Sequence, residues 1–75
     1  MPSTDLLTVG IQGATGRMGT RIIQLIQEDP ALRLGAALER PDHPSQGQDA
    51  GTLAGVQPLG VLLSSRLERP IDVLI

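Results

Sequence analysis

Seventy-five residues make one small domain at most, and a chain of that size buries only about 60% of its unfolded surface, so the sequence reads as part of something larger. Cysteine is absent, which excludes a disulfide framework and thiolate ligands or nucleophiles, and so are Phe, Tyr and Trp, which removes the stacking platform of single-strand and RNA binders. The net charge of −2 argues against a nucleic-acid footprint, and no apolar run approaches the roughly 20 residues of a membrane span.

The N-terminus, Met1 to Asp5, lacks the basic and then apolar regions of a signal segment, and the chain is expected to be soluble and cytoplasmic. Leu6 to Gln12 is a nearly continuous apolar run between Asp5 and Gly13, as in a strand covered on both faces. It meets Gly13-Ala14-Thr15-Gly16-Arg17-Met18-Gly19, which opens an amphipathic helix over Arg17 to Glu28. A strand that turns over glycines into a helix is a phosphate cradle. Gly13 permits the tight turn, Gly16 lets a diphosphate reach backbone N–H groups, and Gly19 lets the helix sit close on the sheet. The unpaired N–H groups of the first helical turn and the positive end of the helix dipole complete an anion site. Arg17 sits badly for the dipole, so it is either offset by an anion or an ordinary surface arginine. Met18, Ile22, Leu25 and Ile26 form the expected buried stripe, with the Met18 N–H still facing a diphosphate. Pro30 ends the helix at Asp29.

Leu32 to Leu38 is the second strand, with Gly35, Ala36 and Ala37 small enough for close approach. At its carboxyl end Glu39 follows Gly19 by 20 residues, the place where an acidic residue accepts hydrogen bonds from adenosine ribose hydroxyls. Arg40 beside it suits a 2′-phosphate, which Glu39 repels, so NADH and NADPH both remain open as cofactors. Residues 41–59 carry scattered Pro and Gly and read as a long loop, with one helical turn near Thr52 to Ala54. His43 lies in it with no convergent partner in sequence and is expected to be an ordinary loop residue. Gly60 to Leu63 is a short third strand. Ser65 and Glu68 resemble a capping box for a brief helix ended by Pro70, and Ile71 to Ile75 starts a fourth strand that is expected to be cut short. The order βαβ, loop, βαβ fits a Rossmann-like α/β fold with a parallel sheet. No lysine is present, which excludes a Walker A site and a Schiff-base lysine within these residues.

The stretch from Gly13 to Gly19, Gly35-Ala36-Ala37-Leu38-Glu39-Arg40, and His43 followed by Gly47-Gln48-Asp49-Ala50-Gly51 together resemble the N-terminal part of the dihydrodipicolinate (4-hydroxy-tetrahydrodipicolinate) reductases of the diaminopimelate route to lysine. The similarity continues through Leu53-Ala54-Gly55 and Gly60-Val61 to Asp72-Val73. It implies that residues 1–75 are the N-terminal portion of a dinucleotide-binding domain using NADH or NADPH. Gly13, Ala14, Thr15, Gly16, Arg17 and Met18 would surround the diphosphate, Glu39 the ribose and Arg40 a 2′-phosphate. It also implies hydride transfer to a cyclic dicarboxylate and homo-oligomerisation, both through a later domain that holds the catalytic histidine and lysine and is absent from these residues. On that reading the stretch alone is inactive. Two other readings have the same glycine turn: an extended short-chain dehydrogenase or epimerase, disfavoured by Arg17-Met18 and the Asp49-Ala50-Gly51 match, and a non-catalytic dinucleotide-binding module.

Overall fold

The computed structural model describes residues 6–75; Asp5, expected to bound the first strand, lies outside them. In chain order the elements are β1 (Leu7–Gln12), α1 (Arg17–Glu28), β2 (Leu32–Leu38), α2 (Ala50–Leu53), β3 (Leu63–Ser64) and β4 (Val73–Leu74). The strands form one sheet in the order β3-β2-β1-β4, and every pairing is parallel. This is a Rossmann-like α/β arrangement, with the first two crossovers leading outward to one side of β1 and the third returning to its other side.

The register between β1 and β2 has one irregularity that decides where the site lies. Val9 pairs with Leu34 but Gly10 pairs with Ala36, so Gly35 has no partner on β1. This extra residue resets the alternation of faces. Val9 and Ile11 share a face, and their partners Leu34 and Ala37 share it too although they are three residues apart. Leu63 continues the row on β3, opposite Ala37. Against this row pack Ile23 and Ile26 of α1, with Ala14, Ala50 and Ala54 filling the ends, and Ile11 and Ile23 are the largest side chains fully enclosed. The core is therefore wholly aliphatic, as the absence of aromatic residues requires.

The buried face of α1 matches the expected one only in part: Ile26 is buried and Ile22 packs half-buried against the core. Gly19, Ile23 and Ile26 are buried, whereas Met18 is 75% exposed and Leu25 46%. The stripe is rotated by one residue because Gly19 must face the sheet, and a glycine adds nothing to a count of apolar side chains. Gln24 links the helix to α2 by donating to the Ala54 carbonyl at 2.9 Å.

The second half of the chain is more irregular than its pattern predicts. The helical turn begins at Ala50 rather than Thr52, because Asp49 caps it by accepting from the Thr52 N–H at 3.0 Å. The same carboxylate accepts from the N–H groups of Leu59 (3.0 Å) and Gly60 (2.8 Å), and Ala50 N–H donates to the Val61 carbonyl. Those loop bonds occupy the residues expected to open the third strand, and β3 starts only at Leu63. The brief helix expected from Ser65 and Glu68 does not form. Ser64 Oγ donates to the Arg66 carbonyl and accepts its N–H, which closes a local turn instead. With Leu67 44% exposed and Pro70 ahead, so short a segment has no buried face to offset helix nucleation. The fourth strand is confirmed in place: Asp72 N–H donates to Thr8 O and Ile75 N–H to Gly10 O on either side of β4.

Candidate functional site

The carboxyl ends of β1 and β2 lie side by side, and the turn from β1 into α1 is tied to both. Ala14 N–H donates to the Leu38 carbonyl at 3.1 Å, and Gly16 N–H to the Gly13 carbonyl at 3.0 Å. The three glycines of this turn answer to three different constraints. Gly13 has φ +66°, in the left-handed region where a side chain is strained. At Gly19 a Cβ would run into the Gly13 carbonyl oxygen and come within 2.8 Å of Ala14 Cα, backbone that has nowhere to go. Gly16 has extended backbone (φ −73°, ψ 172°) that any residue adopts, and the only atom near its Cβ position is the Gly13 carbonyl oxygen at 3.3 Å. A Cβ there would press on that carbonyl, which would have to give by a few tenths of an ångström, and would otherwise project into the open side of the turn.

Gly16 is also the N-cap of α1, with no side-chain acceptor for the first-turn N–H groups and no acidic residue in that turn. Those donors, at the positive end of a 12-residue helix, are directed at the open side. Arg17 and Met18 flank them, both exposed.

Glu39 reaches this turn because of the unpaired Gly35. With Ala37 on the face covered by α1, Glu39 two residues on points to that same side. Its Oε2 accepts from the Thr15 hydroxyl at 2.6 Å and from the Thr15 N–H at 3.2 Å. The Thr15 hydroxyl foremost, and its N–H, hold the Glu39 carboxyl below its ordinary pKa against a smaller opposing effect of burial. Arg40 is turned outward and pairs with Asp42 at 3.0 Å across solvent.

His43 departs from the expectation of an isolated loop residue. The turn Pro41–Gln46 folds back, secured by Gln46 Nε2 donating to the carbonyls of Glu39 and Arg40, and sets His43 Nε2 3.1 Å from Thr15 Oγ1. A sequence separation of 28 residues hid this partnership. The Asp49-Ala50-Gly51 motif, by contrast, is architectural. Asp49 gathers loop N–H groups; burial disfavours its charge, but the N–H donors, Thr52 first, outweigh that and keep its pKa low. Gly51 is buried where a Cβ would strike the Gln57 carbonyl. A groove of about 370 Å³ between β2, β3 and the residues Arg66, Glu68 and Arg69 shares no lining residue with the glycine turn.

The family model for the N-terminus of dihydrodipicolinate reductase matches residues 7–75. Curated relatives named 4-hydroxy-tetrahydrodipicolinate reductase include that of Syntrophotalea carbinolica, 48% identical over 93% of this chain and 27% of the relative. That of Anaeromyxobacter dehalogenans is 46% identical over 84% of this chain and 23% of the relative. That of Sinorhizobium medicae is 43% identical over the whole chain and 26% of the relative. The chain thus spans about a quarter of the length of the curated relatives it matches. A glycine turn joined to an acidic residue at the end of β2, and a match that runs through every element, place this chain in the dihydrodipicolinate reductase family, in its N-terminal part.

Proposed function

We propose that this chain is the nicotinamide-dinucleotide-binding part of a reductase that acts on 4-hydroxy-tetrahydrodipicolinate, with the substrate and the catalytic acid met by residues beyond this stretch. The observation that carries the reading is the meeting of Thr15 and Glu39. It sets a carboxylate beside an uncapped helix N-terminus at the carboxyl end of a parallel sheet. The residues fit the cofactor: the open side of Gly16 accommodates what a Cβ would obstruct, and the first-turn N–H groups are matched to phosphate oxygens.

In this reading Gly13, Ala14, Thr15, Gly16, Arg17 and Met18 hold the diphosphate, through backbone N–H groups and, at Arg17, a cation that the helix dipole alone disfavours. Glu39 Oε2 is engaged by Thr15, which leaves Oε1 for the adenosine ribose hydroxyls. Arg40 exchanges an exposed ion pair, worth roughly 0–1 kcal/mol, for a 2′-phosphate when the cofactor carries one. NADH and NADPH both bind. The dinucleotide supplies the hydride; these residues bind and orient it.

The test is calorimetric titration of NADH and NADPH into the intact protein and its Gly16→Val variant. The branched side chain should abolish measurable binding while leaving most of the far-UV circular dichroism signal, since the Gly16 backbone is already extended and a Cβ there meets only the Gly13 carbonyl oxygen. Unchanged affinity would place the phosphates elsewhere.

A further inference from the structure

We infer that His43 is a specificity-determining positioning residue: through Thr15 it fixes the Glu39 carboxylate in the orientation that favours a free ribose over a 2′-phosphorylated one. The inference rests on the cofactor site proposed above and adds to it a residue outside the glycine turn and the acidic position.

Hydrogen-bond roles in this cluster are determined by elimination. Glu39 accepts only, so the Thr15 hydroxyl spends its single proton on Oε2 at 2.6 Å. Thr15 Oγ1 can then only accept from His43 Nε2 at 3.1 Å, which puts a proton on Nε2. Independently, the Ser45 N–H donates to His43 Nδ1 at 3.0 Å, which requires Nδ1 to be bare. Both constraints name the same neutral tautomer. The ring is thus clamped at one nitrogen by its own loop and directs the other at Thr15. The result is a chain of donors, Ser45 to His43 to Thr15 to Glu39, ending on the proposed ribose acceptor.

Without His43, the Thr15 hydroxyl loses the bond that fixes its rotamer, and the carboxylate is held less firmly. A free ribose then loses a preorganised acceptor, whereas a 2′-phosphate meets a less rigid repelling charge. The two cofactors respond differently, which a purely structural role for the loop does not produce.

The test compares NADH and NADPH dissociation constants, in the intact protein, for wild type and for His43→Ala, His43→Gln and His43→Asn. Gln keeps a donor where Nε2 lies; Asn keeps an acceptor where Nδ1 lies. His43→Ala should weaken NADH roughly three- to tenfold and leave NADPH within about twofold, with Gln restoring the wild-type ratio and Asn not. Rescue by Asn rather than Gln, or equal loss of both cofactors, would reduce His43 to a loop support and overturn the inference. Selective loss of NADPH would overturn it by placing the imidazole on the phosphate itself. If wild type binds and Glu39→Ala weakens NADH but no His43 variant alters the ratio, this inference alone fails; if wild type binds neither cofactor, the site assignment fails with it.

Discussion

Both bonds from Thr15 fall on one oxygen of Glu39, and the guanidinium of Arg40 beside it makes, among the described residues, an exposed pair with Asp42. The acidic position is therefore rigid and the basic one is free to move, which separates their expected effects. Arg40→Ala should weaken NADPH by about 1–3 kcal/mol, the loss of a charge-assisted hydrogen bond, and leave NADH nearly unchanged. Equal losses in a titration of both cofactors would put Arg40 on the diphosphate or adenine. Asp49 is held ionised by the loop N–H groups it gathers. Its pKa in the folded chain lies below the ordinary 3.8, so the unfolded chain binds the proton more readily. Its contribution is complete above that value and is lost as pH falls through the folded pKa. Asp49→Asn, which sets an amide NH2 where one carboxylate oxygen accepted N–H donors, should cost about 0.5–2 kcal/mol at neutral pH and flatten the acid limb of stability, read from urea midpoints between about pH 5 and 2. An unchanged acid limb would show that the loop N–H groups do not depend on its charge. The glycines and Glu39 were legible in the sequence because fixed spacing encodes them. His43 was not, since its partner enters only when the turn Pro41–Gln46 folds back.

At the level of elements, β1, α1 and β2 were readable because each is long enough for its apolar pattern to declare a period, and their bounds fall within a residue of expectation. The face of α1 was read correctly at Gly19 and Ile26 but was one position off at Met18 and Leu25. Burial of Gly19 sets that face, and it works through what is missing, so Met18 took its place in the pattern. The unpaired Gly35 was likewise invisible, although it turns Glu39 toward α1. From residue 49 onward the competition between Asp49, Ser64 and the weak local periodicity was settled by side-chain hydrogen bonds, which leave no mark on the spacing of apolar residues. Gly19→Ala tests the element contact directly. Its Cβ meets backbone of the preceding turn, which cannot repack, so the substitution should destabilise by about 1–3 kcal/mol despite the higher helix propensity of alanine. A stability gain on thermal unfolding would mean that α1 sits farther from the turn.

For the molecule as a whole, the glycine turn and Glu39 meet at the carboxyl ends of two adjacent parallel strands, β1 and β2. Among the described residues no helix is long and apolar enough to cross a membrane. The proposed division of labour gives these residues cofactor binding and leaves proton donation to others. A preparation of the 75 residues alone should therefore show only background oxidation of NADH or NADPH with substrate, and turnover well above that background would place catalytic groups in this stretch. The most direct test of the account is the affinity of the intact protein and its Glu39→Ala variant for NADH and for its adenosine 2′-deoxy analogue. If the carboxylate at the end of β2 accepts the ribose hydroxyl, wild type should prefer NADH by about 1.5–3 kcal/mol and Glu39→Ala should bind the two alike. A preference that survives intact in Glu39→Ala would contradict it.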